Sequence, residues 1–126
     1  MTQVESSTRN VRLTVPAKPE YIVLTRLALS AVCRLTSLEP EDVADLKLAV
    51  TEAVTAFVGE HSEEQLTCGF ELEDEHLVLE IGGPHNAPVS AEEQELGQAI
   101  IRATVDECDF GADRVRLVKY LKRDEQ

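Results

Sequence analysis

The chain of 126 residues is 43% hydrophobic and 4% aromatic, and its 24 acidic against 12 basic side chains leave a formal charge of −12. That length supports one domain with its own core, and the charge disfavours nonspecific binding to nucleic acid or anionic lipid, both of which it would repel. A basic protein partner would instead be steered toward the surface. The opening MTQVESSTRN is polar, and no apolar run approaches the length of a membrane span, so a cytosolic protein is expected. Cys33, Cys68 and Cys108 are odd in number and far apart, which predicts reduced thiols packed as small hydrophobes rather than a disulfide or zinc site.

Val11, Leu13 and Val15 alternate with Arg12 and Thr14, the period of a half-buried strand, and Pro16 ends it. Pro19 and Glu20 suit a first helical turn. Tyr21, Leu24, Ala28, Ala31, Val32 and Leu35 then recur at helical steps, predicting a helix over 19–36. Pro40 with Glu41 and Asp42 opens a second helix over 40–59, where proline and negative charge suit the positive end of the macrodipole. Its apolar stripe is Val43, Leu46, Val50, Ala53, Val54 and Phe57.

The period then changes. Leu66, Cys68, Phe70 and Leu72 alternate, as do Leu77, Leu79 and Ile81, and the acidic triplet 73–75 between them predicts a hairpin turn. Gly82, Gly83, Pro84, Asn86 and Pro88 break the chain. Ser90 and Glu93 are spaced as a capping box before a third helix to about residue 106, with Leu96, Ala99, Ile100 and Ala103 as its stripe. After Gly111 comes a last strand, with Val115, Leu117 and Leu121 on one side and Arg114, Arg116, Val118 and Tyr120 on the other.

Two consecutive helices followed by a hairpin do not suit a doubly wound parallel sheet. The pattern predicts an α+β, two-layer sandwich with three helices on one face of a mixed four- to five-stranded sheet, the other face being polar.

Few residues suggest chemistry. Glu52 lies within AVTEAVTAFV, on a second helical stripe with Asp45, Ala49 and Ala56; a solvated helix-edge carboxylate is the plain alternative. His61, His76 and His85 have no ligand spacing, and no serine has a nucleophile motif around it. Arg114, Arg116, Lys119, Lys122 and Arg123 read as a solvated strand face, or else as a patch for an acidic partner.

The element order and the string DLKLAVTEAVT resemble the anti-sigma serine kinases of the RsbW and SpoIIAB type, within the histidine-kinase-like ATPase (GHKL) superfamily with the Bergerat fold. The resemblance implies a flexible segment 1–9, a histidine-kinase-like ATPase domain over 10–122 and a tail over 123–126. In the family's E-A-x-x-N helix the glutamate is general base and the asparagine holds Mg²⁺; Glu52 and Ala53 match, but Ala56 stands at the asparagine position. The aspartate of D-x-G-x-G, which binds the adenine amino group, aligns with Gly83. In the glycine-rich motif that opens the last helix Gly97 matches, whereas Glu95 replaces the first glycine and sets a carboxylate against phosphate. Asp106 and Glu107 match an acidic pair near the end of that helix, and the connection 84–94 is short for an ATP lid.

The resemblance therefore implies a degenerate nucleotide site, with Glu52 as a vestigial base and no ATP or Mg²⁺ unless that site still binds. It also implies a homodimer that binds a sigma factor, a STAS-domain antagonist, or both, with Arg26 at a partner-contact position on the first helix. Three functions are open: an anti-sigma-like regulator working without phosphotransfer, an ATP-dependent kinase of a STAS antagonist, and a small-molecule sensor or structural dimer.

Overall fold

A computed structural model describes residues 9–84 and 90–121. Segments 1–8 and 122–126, with Lys122 and Arg123, lie outside the described residues, as do 85–89 with His85. The chain runs β1 (Arg9–Pro16), a short 3-10 turn (Pro19–Tyr21), α1 (Ile22–Cys33), α2 (Pro40–Thr55), β2 (Gln65–Leu72), β3 (His76–Gly82), α3 (Ala91–Thr104), β4 (Glu107–Phe110) and β5 (Arg114–Tyr120).

The five strands form one sheet in the order β1-β2-β3-β5-β4. Every pairing in it is antiparallel, so the α+β architecture holds while the expected mixed sheet does not. The reason is topological. After β3 the chain crosses over through α3 and lays β4 in the direction of β3, but β5 turns back and inserts between the two. Strand β4 itself falls where the third helix was expected to finish. Its Glu107 and Asp109 alternate with Cys108 and Phe110, and Glu107 and Asp109 pair with Val118 and Arg116.

The helix-facing side of the sheet carries the core: Leu66, Cys68 and Phe70 of β2, Leu77, Leu79 and Ile81 of β3, and Val115 and Leu117 of β5 are all buried. On the outer side Arg114 and Arg116 are exposed, and Arg114 Nη1 donates to Glu80 Oε2 at 3.0 Å. That is the polar face expected of a sheet covered on one side. Lys119 does not belong to it. Its register partner is Leu77 on the inner face, and its Nζ lies 3.5 Å from Asp42 Oδ1 and 3.9 Å from Asp106 Oδ2.

Helix α2 follows its sequence stripe, burying Leu46, Val50, Ala53 and Val54, with Ala49 added. It ends at Thr55, four residues short of expectation, because the N–H groups of Ala56 and Phe57 turn back to the carbonyls of Ala53 and Val54 and tighten the last turn. Helix α1 differs more. It buries Thr25, Leu29, Val32 and Cys33, whereas Leu24, Ala31 and Leu35 of the expected stripe are exposed. IVLTRLALSAVC is apolar on most of its circumference, so periodicity alone cannot select the buried face. The Thr25 hydroxyl donates to the Ile22 carbonyl at 2.7 Å, which lets a polar side chain enter the core. At the other end the Thr36 hydroxyl donates to Cys33 O at 2.7 Å and accepts from Leu38 N at 3.1 Å, closing the helix before 36.

The hairpin turns where expected, with the Glu73 N–H donating to His76 O at 2.8 Å. The cap of α3 is also found: Ser90 Oγ accepts from Glu93 N at 3.1 Å. Yet within α3 only Ile101 is buried, and Leu96, Ala99 and Ala103 are exposed. Its apolar side turns to a cavity instead of to packed core. No helix among the described residues is long and apolar enough to cross a membrane.

Candidate functional site

The cavity has a volume of about 700 Å³ and lies between the C-terminal half of α2, the length of α3 and the turn joining β4 to β5. Its wall is mostly apolar, with Phe57, Leu96, Ile100, Ile101, Phe110 and Val115 contributing the larger side chains. Ala53 and Ala56 of α2 and Gly97 of α3 keep it wide. Two carboxyl side chains face it, Glu52 and Glu93, together with Thr55, Gln94 and Gln98. Among the described residues no lysine, arginine or histidine lines it. Arg102 places its guanidinium 5.1 Å from the centre of the Phe110 ring, a stacked contact made by a residue that does not line the cavity.

Glu52 approaches α3 closely, and a Cβ added to Gly97 would stand 3.1 Å from its Oε1. The two residues singled out on separate helices therefore meet. Ala56 lines the same space, just past the end of α2. Gly83 sits beside it in a tighter place: a Cβ there would lie 3.0 Å from Phe57 Cβ and 3.3 Å from Leu66 Cδ1. Glu95 is exposed on the first turns of α3 and Arg26 is exposed on α1, and neither lines the cavity. Asp106 and Glu107 follow the end of α3 at Thr104, with Glu107 opening β4. Asp106 Oδ2 accepts the Tyr120 N–H at 2.7 Å, and Glu107 accepts a hydrogen bond from the Tyr120 hydroxyl.

The apolar wall was not singled out from sequence. Phe57 reads as ordinary core from sequence, and the reading assigns no element to Phe110, between the third helix and the last strand. The alternation of Glu107, Cys108, Asp109 and Phe110 was the available signal. Among the described residues no three histidine, cysteine, aspartate or glutamate side chains converge as metal ligands do. Cys33 and Cys68 are buried and Cys108 is half-buried, all as free thiols. Burial pushes the Cys33 thiol up to about 11, against an opposing pull from Lys47, and the Cys68 thiol up to about 12.

The histidine kinase-like ATPase domain family matches residues 15–119. The serine-protein kinase RsbW of Listeria innocua is 29% identical over 120 residues, covering 90% of this chain and 76% of that protein. RsbW of Oceanobacillus iheyensis is 35% identical over 75 residues, 56% of this chain and 48% of its own length. This match spans about half of the Oceanobacillus protein. RsbW of Bacillus licheniformis is 26% identical over 117 residues, covering 88% of this chain and 73% of that protein. Among solved structures, the RsbU and RsbW domains of a Mycobacterium tuberculosis protein superpose with a TM-score of 0.66 at 16% identity, over 90% of this chain and 32% of the other, a likeness of fold.

Proposed function

Because this chain belongs to the histidine kinase-like ATPase domain family and is of the RsbW type, we propose that it is an anti-sigma-like regulator that binds a sigma factor, a STAS-domain antagonist, or both, without phosphotransfer. The observation that carries this reading is the surroundings of Gly83. The resemblance aligns this residue with the adenine-binding aspartate, and Phe57 and Leu66 would crowd even a Cβ there, at 3.0 Å and 3.3 Å. Ala56, at the aligned metal-binding position, offers a methyl group where a hard cation requires oxygen. Glu52 and Glu93 add negative charge to a cavity with no cationic side chain among its described lining residues. ATP with Mg²⁺ does not fit this donor set. Arg26, exposed on α1 between the exposed Val23 and Leu27, supports a partner-facing surface, since arginine beside apolar side chains is a common hot spot. A cytosolic homodimer is part of the same proposal.

The kinase reading draws on one observation, the carboxyl of Glu52 facing the cavity as a general base would. The two part in one experiment. The purified protein is mixed with sigma factors and STAS-domain proteins of its own genome, with and without Mg-ATP labelled at the γ-phosphate. A stable complex independent of nucleotide, with no label on the STAS protein, is expected. Label transfer that disappears in Glu52→Ala would establish the kinase and overturn the proposal.

A further inference from the structure

We propose that the cavity between α2, α3 and the β4–β5 turn is a binding site for a small organic cation, an amine carried on an apolar or aromatic body. This goes beyond the partner-binding reading and does not depend on it. At about 700 Å³ the cavity is in the size range of small-molecule sites, and its make-up is the usual one of apolar walls with a few polar groups. Phe57, Ile100, Phe110 and Val115 would cover the apolar body. Glu52 and Glu93 supply the charge, and among the described residues no lysine, arginine or histidine lines the cavity beside them.

The same features exclude an anionic occupant. A helix N-terminus ordinarily attracts phosphate or carboxylate through its free N–H groups. Here the Glu93 N–H donates to Ser90 Oγ and the Gln94 N–H to the Ser90 carbonyl, so part of that donor set is engaged. Glu92, Glu93 and Glu95 then surround the remainder with acid. Glu52 is half-buried, and the missing side chain of Gly97 lets its carboxyl approach α3 at the cavity, where a Cβ would stand 3.1 Å from its Oε1. An ammonium group beside Glu52 would replace water with a charge-assisted hydrogen bond, while its apolar body displaced water from the wall.

The test uses three probes of one shape: 4-phenylbutylamine, 4-phenylbutan-1-ol and 4-phenylbutyrate, titrated into the ¹⁵N-labelled protein at physiological salt, with Mg-ATP as a fourth. The amine is expected to shift the amides of Ala53, Gly97, Phe110 and Val115 saturably and to bind about tenfold more tightly than the alcohol, the carboxylate binding weakest. In Glu52→Gln the preference for amine over alcohol should vanish while the alcohol still binds. Ala56→Phe, a change at an exposed position on the cavity wall, should abolish binding of both without disturbing the core. Absence of amine binding would overturn the proposal. So would amine shifts spread over the outer sheet face, equal affinity for the carboxylate or Mg-ATP, an undiminished preference in Glu52→Gln, or undiminished binding in Ala56→Phe.

Discussion

Glu52 and Gly97 meet across the seam between α2 and α3, where a Cβ on Gly97 would stand 3.1 Å from Glu52 Oε1. The contact is tight, but the atom met is the tip of a flexible side chain. Gly97 is within a helix and has no positive φ. Gly97→Ala should therefore recover most of the helix propensity that glycine forfeits and stabilise the protein by about 0.5 kcal/mol, with Glu52 turning slightly outward. In a Glu52→Ala background the gain should approach the full ~1 kcal/mol of the propensity difference. Urea denaturation of the four proteins measures both values.

Gly83 predicts the opposite sign. Its missing side chain leaves room for Phe57 and Leu66, both buried core residues that would have to give by a few tenths of an ångström. Gly83→Ala should cost roughly 1–3 kcal/mol by overpacking, and Gly83→Asp should cost more because its carboxyl would meet an apolar wall. Phe57→Leu should shrink the Gly83→Ala penalty to under about 1 kcal/mol, a coupling that a double-mutant cycle reads directly.

Lys119 joins the helix layer to the sheet. Its side chain is only 14% exposed and stands between Asp42, in the first turn of α2, and Asp106, just after α3. Lys119→Met keeps the aliphatic stem and removes the charge, so it should cost about 1 kcal/mol, more than a typical surface ion pair. The loss should be smaller at 1 M salt, and combining it with Asp42→Asn should cost less than the sum of the two. Chemical denaturation at two ionic strengths checks this.

The buried thiols set an alkaline limit. In the unfolded chain Cys33 and Cys68 release their protons near 9, the ordinary value for a thiol, whereas in the folded protein they retain them to about 11 and about 12. Between those values the folded state binds more protons. Their contribution to stability is thus complete below pH 9 and is lost as pH rises toward 11 and 12. The melting temperature should fall across this window, and Cys68→Ala should flatten that fall. In native protein at pH 8, iodoacetamide should label Cys108 well before Cys33 or Cys68, since a thiolate must form and be reachable. Mass spectrometry of timed samples gives the order.

How much was legible in the sequence depended on how unevenly each element distributes its apolar residues. Helix α2 has one apolar side, and Leu46, Val50, Ala53 and Val54 named its buried face correctly. Helix α1 has no such contrast, and there Thr25 and Leu29 were missed in favour of Leu24 and Leu35. Strand β4 is four residues long, and its acidic positions made it look like a helix end. For the site, helical spacing alone joins Glu52 to Ala56, but Gly83 and Gly97 could be added only through a family resemblance, because no local pattern reaches that far along the chain. The aromatic wall of Phe57 and Phe110 depends on tertiary packing between α2 and the β4–β5 turn, which periodicity does not encode.

The pairing of β1 with β2 also governs the order in which this protein can be built. Arg9 pairs with Leu72 and Pro16 with Gln65, across both α1 and α2. As the chain leaves the ribosome, the two helices can dock on each other while the first strand still lacks its neighbour. The chain entropy lost in bringing distant segments together is recovered only when the hairpin of β2 and β3 arrives. A nascent chain stalled before Gln65 should therefore show rapid amide exchange throughout Arg9–Pro16, and this early interval is when its alternating Val11, Leu13 and Val15 are open to pairing with another chain.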